Sequence, residues 1–373
     1  MTQAQPQARP FRWAILGTGG VARKFARDLR AVAGPEALHV VASRRAENAR
    51  RFAADLGVGQ AAPDYETALR ADVEAVYIAT PAALHEAHAL MAIGAGKAVL
   101  IEKPLAPDAA AARRIAAAAD AAGVFCMEAM WTRFQPLPGA LKARIEAGAL
   151  GEIRGLDGQF MVANRPEPGV SLFDPAQAGG ALLHRGIYPL SLARFLLGPV
   201  AELRTLGRIG ATGVDEDSLL ILRHENGALS SLRASLRANG HPGTWIYGTA
   251  ATLEIQGPVW RPTGARLHPA HPGSAGPGGP RRLEGLRESG AGLKLSGALA
   301  RLRGLIRPPA AIRAPFAGNG YRHEAEAVME AVRAGRTQDP RMTPQESAEV
   351  LDIIDAARAA WAPAQGATGK DEA

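Results

Sequence analysis

The chain has 373 residues and a formal net charge of +7, and 47% of its residues are apolar and 21% are charged. This length is typical of about two domains, and the composition excludes a wholly disordered chain. No apolar run reaches the roughly 20 residues of a transmembrane helix, and the polar start MTQAQPQARP lacks the apolar stretch of a secretory signal. The only cysteine, Cys126, excludes an intrachain disulfide, so we expect a cytoplasmic protein.

The first part of the chain alternates strand-like and helix-like segments. Short apolar runs that stop at turns predict strands, and apolar residues at spacings of three and four predict helices between them. The predicted strands are 11–17, 39–43, 74–80, 98–101 and 124–127, and the predicted helices are 21–32, 47–56, 83–95 and 107–122. This alternation predicts a doubly wound parallel sheet covered on both faces, in a first domain that we place at residues 1–130.

The pattern changes after residue 130. Strand-like runs joined by short turns predict a second α/β domain, residues 131–373, on a large, mostly antiparallel open sheet. The predicted strands are 153–160, 203–209, 218–223, 228–236, 245–247 and 251–255, with a hairpin turn at 224–227 and helices at 180–197, 321–334 and 344–361. Residues 257–318 are rich in Gly, Pro and Arg and have no assigned element.

The positive charge is concentrated in one segment. Residues 280–313 hold eight basic and two acidic side chains, so this segment carries +6 of the net +7. Leu295, Leu299, Leu302 and Ile306 recur there at helical spacing, which predicts a basic amphipathic helix. Such a helix can bind an anionic surface, but the nearly neutral remainder of the chain favours a peripheral excursion that packs on its own domain. We therefore expect no specific binding of nucleic acid.

A glycine-rich turn of the form G-x-G-x-x-A joins the first strand to the first helix. In such a turn the first glycine permits the tight bend, the second lets the backbone approach a pyrophosphate, and the small third residue lets helix and strand pack closely. The helix N-terminus adds free N–H groups for phosphates. Because the turn has this context, the sequence predicts a dinucleotide site rather than a purely structural turn. Its residues are Gly17, Thr18, Gly19, Gly20, Val21 and Ala22.

The end of the second strand distinguishes between the two nicotinamide dinucleotides. An NAD site usually has an acidic residue there, which binds the ribose 2′-hydroxyl. This chain has Ser43, Arg44 and Arg45 instead, with no carboxylate before Glu47. A hydroxyl and two guanidiniums suit a 2′-phosphate, so the sequence favours NADP, with NAD as the alternative. The structural alternative is that both arginines are solvated surface residues.

Several motifs together resemble one enzyme family. The fourth strand runs into E-K-P at 102–104, at the sheet edge where ligands of such folds bind. With the glycine turn, A-T-P at 79–81 and the helix carrying His85, this pattern resembles the Gfo/Idh/MocA oxidoreductase family. The stretches 127–134, 179–183 and 318–321 resemble its dihydrodiol dehydrogenase branch.

This resemblance implies an N-terminal Rossmann domain and a C-terminal domain whose open sheet forms homodimer or higher oligomer contacts. It implies hydride transfer between nicotinamide and a hydroxyl-bearing carbon of a sugar, polyol or diol. Lys103 matches the family's active-site lysine, and an ammonium there can polarise a carbonyl. The alternative is that Lys103 only binds a cofactor phosphate or pairs with Glu102. The residues implied for the loops around the cofactor are Thr80, Pro81, His85, Glu102 and Lys103.

One position departs from the family pattern. The family usually has aspartate where this chain has His184. Four positions later the family has tyrosine or histidine, and Tyr188 of this chain matches that residue. At this spacing the two side chains share one face of a helix, where they are candidates for catalysis and substrate binding. The departure leaves two hypotheses open: a dehydrogenase with altered substrate choice, and a nucleotide-binding regulatory protein without turnover. A third hypothesis, separate from the departure, is NAD(P)-assisted elimination or glycoside cleavage with no net consumption of the cofactor.

Two further residues are weaker candidates for substrate binding. Trp131 and Arg133 follow the fifth strand, where an aromatic wall and a guanidinium suit a polar ring, although core packing explains Trp131 nearly as well. The histidines at 241, 268 and 271 have no carboxylate or cysteine at ligand spacing, so no metal site is predicted.

Overall fold

The computed structural model describes residues 9–167, 169–270, 289–290, 294 and 309–361. The amphipathic helix predicted at 295–306 lies outside the described residues, as does most of the basic segment. Within the described ranges, no helix has both the length and the apolar character needed to cross a membrane.

The first sheet has six parallel strands. Its strands are β1 (Trp13–Leu16), β2 (Leu38–Ala42), β3 (Gln60–Ala61), β4 (Ala75–Ile78), β5 (Ala98–Glu102) and β6 (Cys126–Ala129). The helices around it are α1 (Gly20–Ala33), α2 (Ala46–Leu56), α3 (Tyr65–Arg70), α4 (His85–Gly94) and α5 (Ala109–Ala122). The strand order is β3-β2-β1-β4-β5-β6, so the direction of winding reverses between β1 and β4 and opens a crevice at their carboxyl ends.

The local sequence accounts for most of this sheet. Strands β1, β4, β5 and β6 are buried along their whole length, as continuous apolar runs of a two-sided parallel sheet require. Asp64 and Asp108 begin α3 and α5 by accepting hydrogen bonds from the N–H groups of Thr67 and Ala111. The two-residue strand β3 and the short helix α3 were not predicted, because neither is long enough to show a hydrophobic period.

The second sheet has eight strands. They are β7 (Ile153–Met161), β8 (Val200–Ile209), β9 (Asp215–His224), β10 (Leu229–Ser235), β11 (Thr244–Gly248), β12 (Ala251–Gln256), β13 (Gly264–Pro269) and β14 (Ala310–Arg313). The strand order is β14-β13-β12-β11-β7-β10-β9-β8. Among the described strands of this second sheet, β7 and β10 form the one parallel pair, and the predicted hairpin joins β9 to β10. The α/β fold class with a mostly antiparallel second sheet is confirmed.

Helices cover one face of the second sheet and connect it to the first. They are α6 (Trp131–Phe134), α7 (Pro136–Glu146), α8 (Ile187–Leu197), α9 (Arg322–Arg333) and α10 (Pro344–Trp361). Helix α8 packs against β7 and β10, and α10 packs against both α5 and β8. The opposite face of the sheet carries exposed apolar side chains such as Leu206, which is 73% exposed.

The helix predicted at 180–197 is not one continuous α-helix. Residues Leu182–Gly186 form a π-helical turn, and α8 begins only at Ile187. Inserted π turns free backbone carbonyls and occur often at functional sites. The carbonyl of His184 accepts a hydrogen bond from the Lys103 ammonium at 3.1 Å, an interaction that a residue pattern cannot reveal.

Candidate functional site

The glycine turn leaves open space at the N-terminus of α1. Gly17 has a φ of +109°, and a Cβ there would overlap the carbonyl oxygen of Ala79. At Gly19 and Gly20, in contrast, a Cβ would meet nothing within 4 Å. Ala22 is fully buried, so the small third residue of the motif packs the helix onto the sheet. The free N–H groups of α1 therefore face an unfilled space that an anionic group can enter.

A cavity of about 600 Å³ runs from the glycine turn to the end of β2. Ser43, Arg44 and Arg45 line its far end, and Thr18 Oγ1 lies 3.4 Å from Ser43 Oγ. Both arginines are exposed, and none of the described residues that line this cavity is a carboxylate. These donors and the open glycine backbone fit a dinucleotide that carries an additional phosphate at this end.

A second cavity of about 290 Å³ continues from the glycine turn to Lys103. Gly19, Thr80 and Pro81 line both cavities, so the two form one continuous cleft along the carboxyl ends of the strands. Val21, His85, Glu102 and Lys103 line the second cavity from the first sheet, and Ser171, Gln177 and His184 approach from the other side. The cleft thus brings Lys103 together with His184, which is 81 positions later in the chain.

His85 connects the two loops that border this cleft. Its Nδ1 lies 2.8 Å from the carbonyl oxygen of Pro104, and its Nε2 lies 2.9 Å from the carbonyl oxygen of Thr80. Burial lowers the pKa of His85 to about 4, so the ring is neutral at pH 7 and donates to one of these carbonyls at a time. The structure therefore places His85 as a brace between the two loops that border the cleft.

The charges around Lys103 are buried and close together. Tyr77 donates a hydrogen bond of 2.5 Å to Glu102 Oε1, and the backbone N–H of Lys103 contacts Glu102 Oε2 at 3.2 Å. Burial raises the pKa of Glu102 to about 7, although the Tyr77 hydroxyl and the Lys103 charge oppose it. Burial lowers the pKa of Lys103, whereas the carboxyls of Glu102 and Glu128 raise it. The ammonium is therefore easier to deprotonate than a surface lysine, as proton exchange requires.

His184 and Tyr188 both lie beside Lys103. The Lys103 ammonium is 5.1 Å from the centroid of the Tyr188 ring. Burial, followed by the charges of Lys103 and Arg185, lowers the pKa of His184 to about 3, so its ring is neutral at pH 7. The His184 Nε2 atom is buried and has no hydrogen-bond partner. A neutral imidazole with a free nitrogen at the cleft can bond a hydroxyl but supplies no fixed negative charge.

The comparisons with known proteins match both parts of the chain. A family model of Gfo/Idh/MocA oxidoreductases with an NAD-binding Rossmann fold matches residues 11–130, and a model of the Gfo/Idh/MocA C-terminal domain matches residues 139–254. The trans-1,2-dihydrobenzene-1,2-diol dehydrogenase of Sus scrofa is 30% identical over 358 residues, which cover 94% of this chain and 96% of that protein. The chain belongs to the Gfo/Idh/MocA oxidoreductase family.

Two solved structures of lower sequence identity share the fold. A solved structure of KijD10, a 3-ketoreductase from Actinomadura kijaniata in complex with NADP and TDP-benzene, is 24% identical with a TM-score of 0.75 and covers 94% of this chain and 98% of that one. The aldose-aldose oxidoreductase from Caulobacter crescentus, complexed with glycerol, is 23% identical with a TM-score of 0.75 and covers 94% and 97%. Membership of the Gfo/Idh/MocA family confirms the resemblance stated from the motifs and the prediction of a nicotinamide-dependent oxidoreductase.

Arg133 lies outside the cleft, contrary to the prediction that it contacts substrate. It is 2% exposed, and its Nε and Nη2 atoms donate to the side chain and carbonyl of Ser191 at 2.7 and 2.8 Å. Its Nη1 donates to the carbonyl of Arg341 and forms an ion pair of 2.8 Å with Glu346. Every guanidinium nitrogen is thus bonded within the protein, where Arg133 joins α6 to α8 and α10.

Trp131 packs inside the protein, which is the alternative that the sequence left open beside a wall of the substrate site. It is 6% exposed, its indole N–H donates to Tyr188 Oη at 3.3 Å, and its ring stacks on Tyr321. The buried indole therefore packs against Tyr188 and Tyr321.

Several residues that line the cleft were missed by sequence reasoning. Gln177, from the short turn Pro175–Gln177, lines both cavities, and its Nε2 donates to Asp174 Oδ2 at 2.7 Å. Others line only the larger cavity: Asn48, Tyr65, Leu84 and His88. None of these belongs to a motif with fixed spacing, so no sequence signal identifies them. In the part of the chain that the structure describes, no three His, Cys, Asp or Glu side chains are grouped to hold a metal ion.

Proposed function

We propose that the protein is an NADP-dependent oxidoreductase that transfers a hydride between nicotinamide and a hydroxyl-bearing carbon of a sugar, polyol or diol. The observation that carries the proposal is the continuous cleft from Ser43–Arg45 past the glycine turn to Lys103 and His184. The dihydrodiol dehydrogenase relatives and a 3-ketoreductase solved with NADP support the substrate and cofactor classes. A nicotinamide dinucleotide bound along this cleft supplies or accepts the hydride.

The side chains at the end of β2 predict a preference for NADP(H) over NAD(H). Arg44 and Arg45 line the larger cavity and can form charge-assisted hydrogen bonds to a 2′-phosphate. We expect Arg44→Ala to weaken NADPH binding about tenfold or more and to leave NADH binding nearly unchanged. Titration calorimetry with both dinucleotides measures this. Arg51→Ala, on the helix α2 that follows and paired with Glu47, is the control. Equal dissociation constants for NADPH and NADH in the unmodified protein would contradict the prediction.

Lys103 and Tyr188 are the groups proposed to act on the reacting oxygen. The Lys103 ammonium carries three donors, of which one is held by the carbonyl of His184, so two remain for a substrate oxygen. During reduction the ammonium stabilises the negative charge that develops on the carbonyl oxygen, and the Tyr188 hydroxyl provides its proton. In the oxidation direction the same groups receive that proton.

His184 is proposed to bind a substrate hydroxyl next to the reacting carbon. Its neutral ring accepts or donates one hydrogen bond at Nε2 without adding a charge beside Lys103. A family aspartate at this position would instead raise the pKa of the lysine through its negative charge. The substitution therefore changes substrate contacts while the ammonium and the phenol stay in place.

The buried carboxylate of Glu102 predicts a shift of the pH profile. Removing its charge in Glu102→Gln lowers the pKa of Lys103 further, because that carboxylate is the largest influence opposing burial. Reduction requires the protonated lysine, so we expect the alkaline limb of the rate profile to move to lower pH. Steady-state kcat measured from pH 6 to 10 tests this, and Glu86→Gln on α4, paired with Arg114, is the control. A limb that stays in place or moves to higher pH would refute the proposed coupling.

The alternatives are separated by one assay. Diketones and aldoses are tested with NADPH, and dihydrodiols are tested with NADP⁺. The absorbance of the reduced nicotinamide is followed in each reaction. Turnover supports the dehydrogenase. Tight binding without consumption would favour the other two hypotheses, a regulatory protein or NAD(P)-assisted glycoside cleavage.

We also propose that residues 1–130 and 131–373 are the two domains and that the outer face of the second sheet joins copies of the chain. That face carries exposed apolar side chains of β8, β9, β10 and β11: Leu206, Ile221, Leu229 and Tyr247. Light scattering after size exclusion should give a mass of two or more chains, and Leu206→Arg with Leu229→Arg should lower it to one. Leu90→Arg, on the distant α4, is the control.

The single buried Cys126 supports the proposal of a cytoplasmic enzyme.

A further inference from the structure

We propose that the loop Gly318–Tyr321, anchored by Asp28, positions the indole of Trp131 so that the Tyr188 proton points into the cleft. Trp131, Tyr321 and Asp28 are then positioning residues, because none of them needs to touch the reacting atoms. The inference rests on the proposed function of Tyr188 as the proton donor. It assigns a role to the loop and to Asp28, neither of which lines the cleft.

The first step is the direction of one hydrogen bond. The Trp131 Nε1 atom lies 3.3 Å from Tyr188 Oη, and an indole N–H can only donate. The phenol oxygen therefore accepts this bond, and its own hydrogen must point away from the indole. Lys103, 5.1 Å from the Tyr188 ring, is a cation and cannot accept that hydrogen. A substrate carbonyl oxygen beside Lys103 can accept it.

This arrangement favours proton donation from Tyr188. As the hydride forms a C–H bond at the carbonyl carbon, the O–H bond of Tyr188 breaks and its proton forms the new hydroxyl of the product. The phenolate left behind keeps the indole hydrogen bond and later takes a proton from water. Burial raises the pKa of Tyr188, and the Trp131 N–H is the largest influence that lowers it.

The second step is what holds the indole. The ring of Tyr321 stacks on Trp131 with centroids 4.8 Å apart and planes only 8° from parallel. Gly320 has a φ of +104°, and a Cβ there would lie 3.0 Å from Trp131 Cζ3. The loop therefore contacts both a face and an edge of the indole, and this close approach requires glycine at 320.

The third step is what holds the loop. The carboxylate of Asp28 accepts hydrogen bonds from the backbone N–H groups of Asn319, Gly320 and Tyr321 at 2.8 to 3.0 Å. It also accepts one from the Asn319 side chain at 3.0 Å. Asp28 is 4% exposed and lies on α1, the helix whose N-terminus faces the proposed pyrophosphate site. One helix thus supports both the glycine turn and the loop that contacts the indole.

A double-mutant cycle tests whether Trp131 acts through Tyr188. Trp131→Phe removes the indole N–H and keeps a packed ring, and we expect kcat to fall about tenfold or more while NADPH affinity stays unchanged. In a Tyr188→Phe background the same change should have no further effect. Trp361→Phe is the matched control, because its indole nitrogen has no hydrogen-bond partner and it lies at the end of α10. Asp28→Asn should lower kcat in the same direction, compared with Asp55→Asn on the surface.

The outcomes distinguish a failure of this inference from a failure of the proposed oxidoreductase function on which it rests. Equal losses from Trp131→Phe in both backgrounds, or no loss in either, would overturn the inference while the dehydrogenase stands. Tyr188→Phe with unchanged turnover would remove the proposed role of Tyr188 and the inference with it. Absence of turnover in the unmodified protein with every substrate would refute the proposed function itself.

A second measurement applies if Tyr188→Phe has no detectable turnover. Losing the indole N–H destabilises the phenolate, so in the oxidation direction Trp131→Phe should move the rate limb that reports Tyr188 to higher pH. The carboxyls of Glu102, Glu128 and Glu324 and the ammonium of Lys103 also face this phenol, and the variant leaves all four unchanged. An unmoved limb in Trp131→Phe would overturn the inference.

Discussion

Replacement of Lys103 with methionine is expected to abolish turnover and to leave dinucleotide binding intact. Methionine has a similar length but carries no charge or donor, so the developing charge on the substrate oxygen loses its stabilisation. Loss of such a group costs about a hundredfold to a thousandfold or more in kcat. The NADPH dissociation constant should change by less than about threefold, because the glycine turn and the arginines at β2 provide most of the affinity. Single-turnover kinetics and titration calorimetry measure the two quantities separately.

The matched control for this variant is Lys97→Met. Lys97 also holds its ammonium on backbone carbonyls, those of Ala71 and Val73 at 3.2 and 3.0 Å, but it lies away from the cleft. Its replacement should lower stability slightly, by about 1 kcal/mol, and leave kcat unchanged. A Lys103→Met enzyme with near normal turnover would disprove the catalytic role and leave Lys103 as a phosphate or structural ligand.

The two glycines of the turn should respond differently to the same substitution. Gly17→Ala forces a side chain into a positive-φ position and against the Ala79 carbonyl, so we expect it to lower the free energy of unfolding by about 1 to 3 kcal/mol. Gly19→Ala adds a methyl group that meets no protein atom within 4 Å. It should leave stability unchanged and weaken dinucleotide binding about tenfold or more, because the methyl projects where the pyrophosphate approaches.

Chemical denaturation and NADPH titration of both variants distinguish these effects. Gly94→Ala on α4, where a Cβ also meets nothing within 4 Å, controls for the general effect of replacing a glycine. A Gly19→Ala protein that binds NADPH as tightly as the unmodified protein would place the dinucleotide elsewhere on the molecule.

The sequence predicted those features that depend on neighbours along the chain. Apart from β3 and α3, the strands and helices of the first sheet follow from apolar runs and helical spacing, and the glycine turn follows from its place between β1 and α1. The position of Lys103 at the carboxyl end of β5 follows from the same alternation, since parallel strands end at one edge. The strands β7 to β12 and the hairpin between β9 and β10 were also readable from local pattern.

The local pattern gave a wrong account where long-range contacts decide the environment. Arg133 looked like a ligand for substrate, but partners at 191, 341 and 346 enclose it. The helix predicted at 180–197 begins with a π turn, where the carbonyl of His184 accepts a hydrogen bond from Lys103.

The sequence by itself therefore determined the fold class, the family and the position of Lys103 at the end of β5, because each depends on residues only a few positions apart. Only the tertiary structure decided which side chains meet at the cleft. Asp28 and Asn319 are 291 positions apart, and Lys103 and His184 are 81 positions apart, so no periodicity connects them. Their contacts depend on how the two sheets pack against each other, and that packing is set by buried surfaces spread over the whole chain.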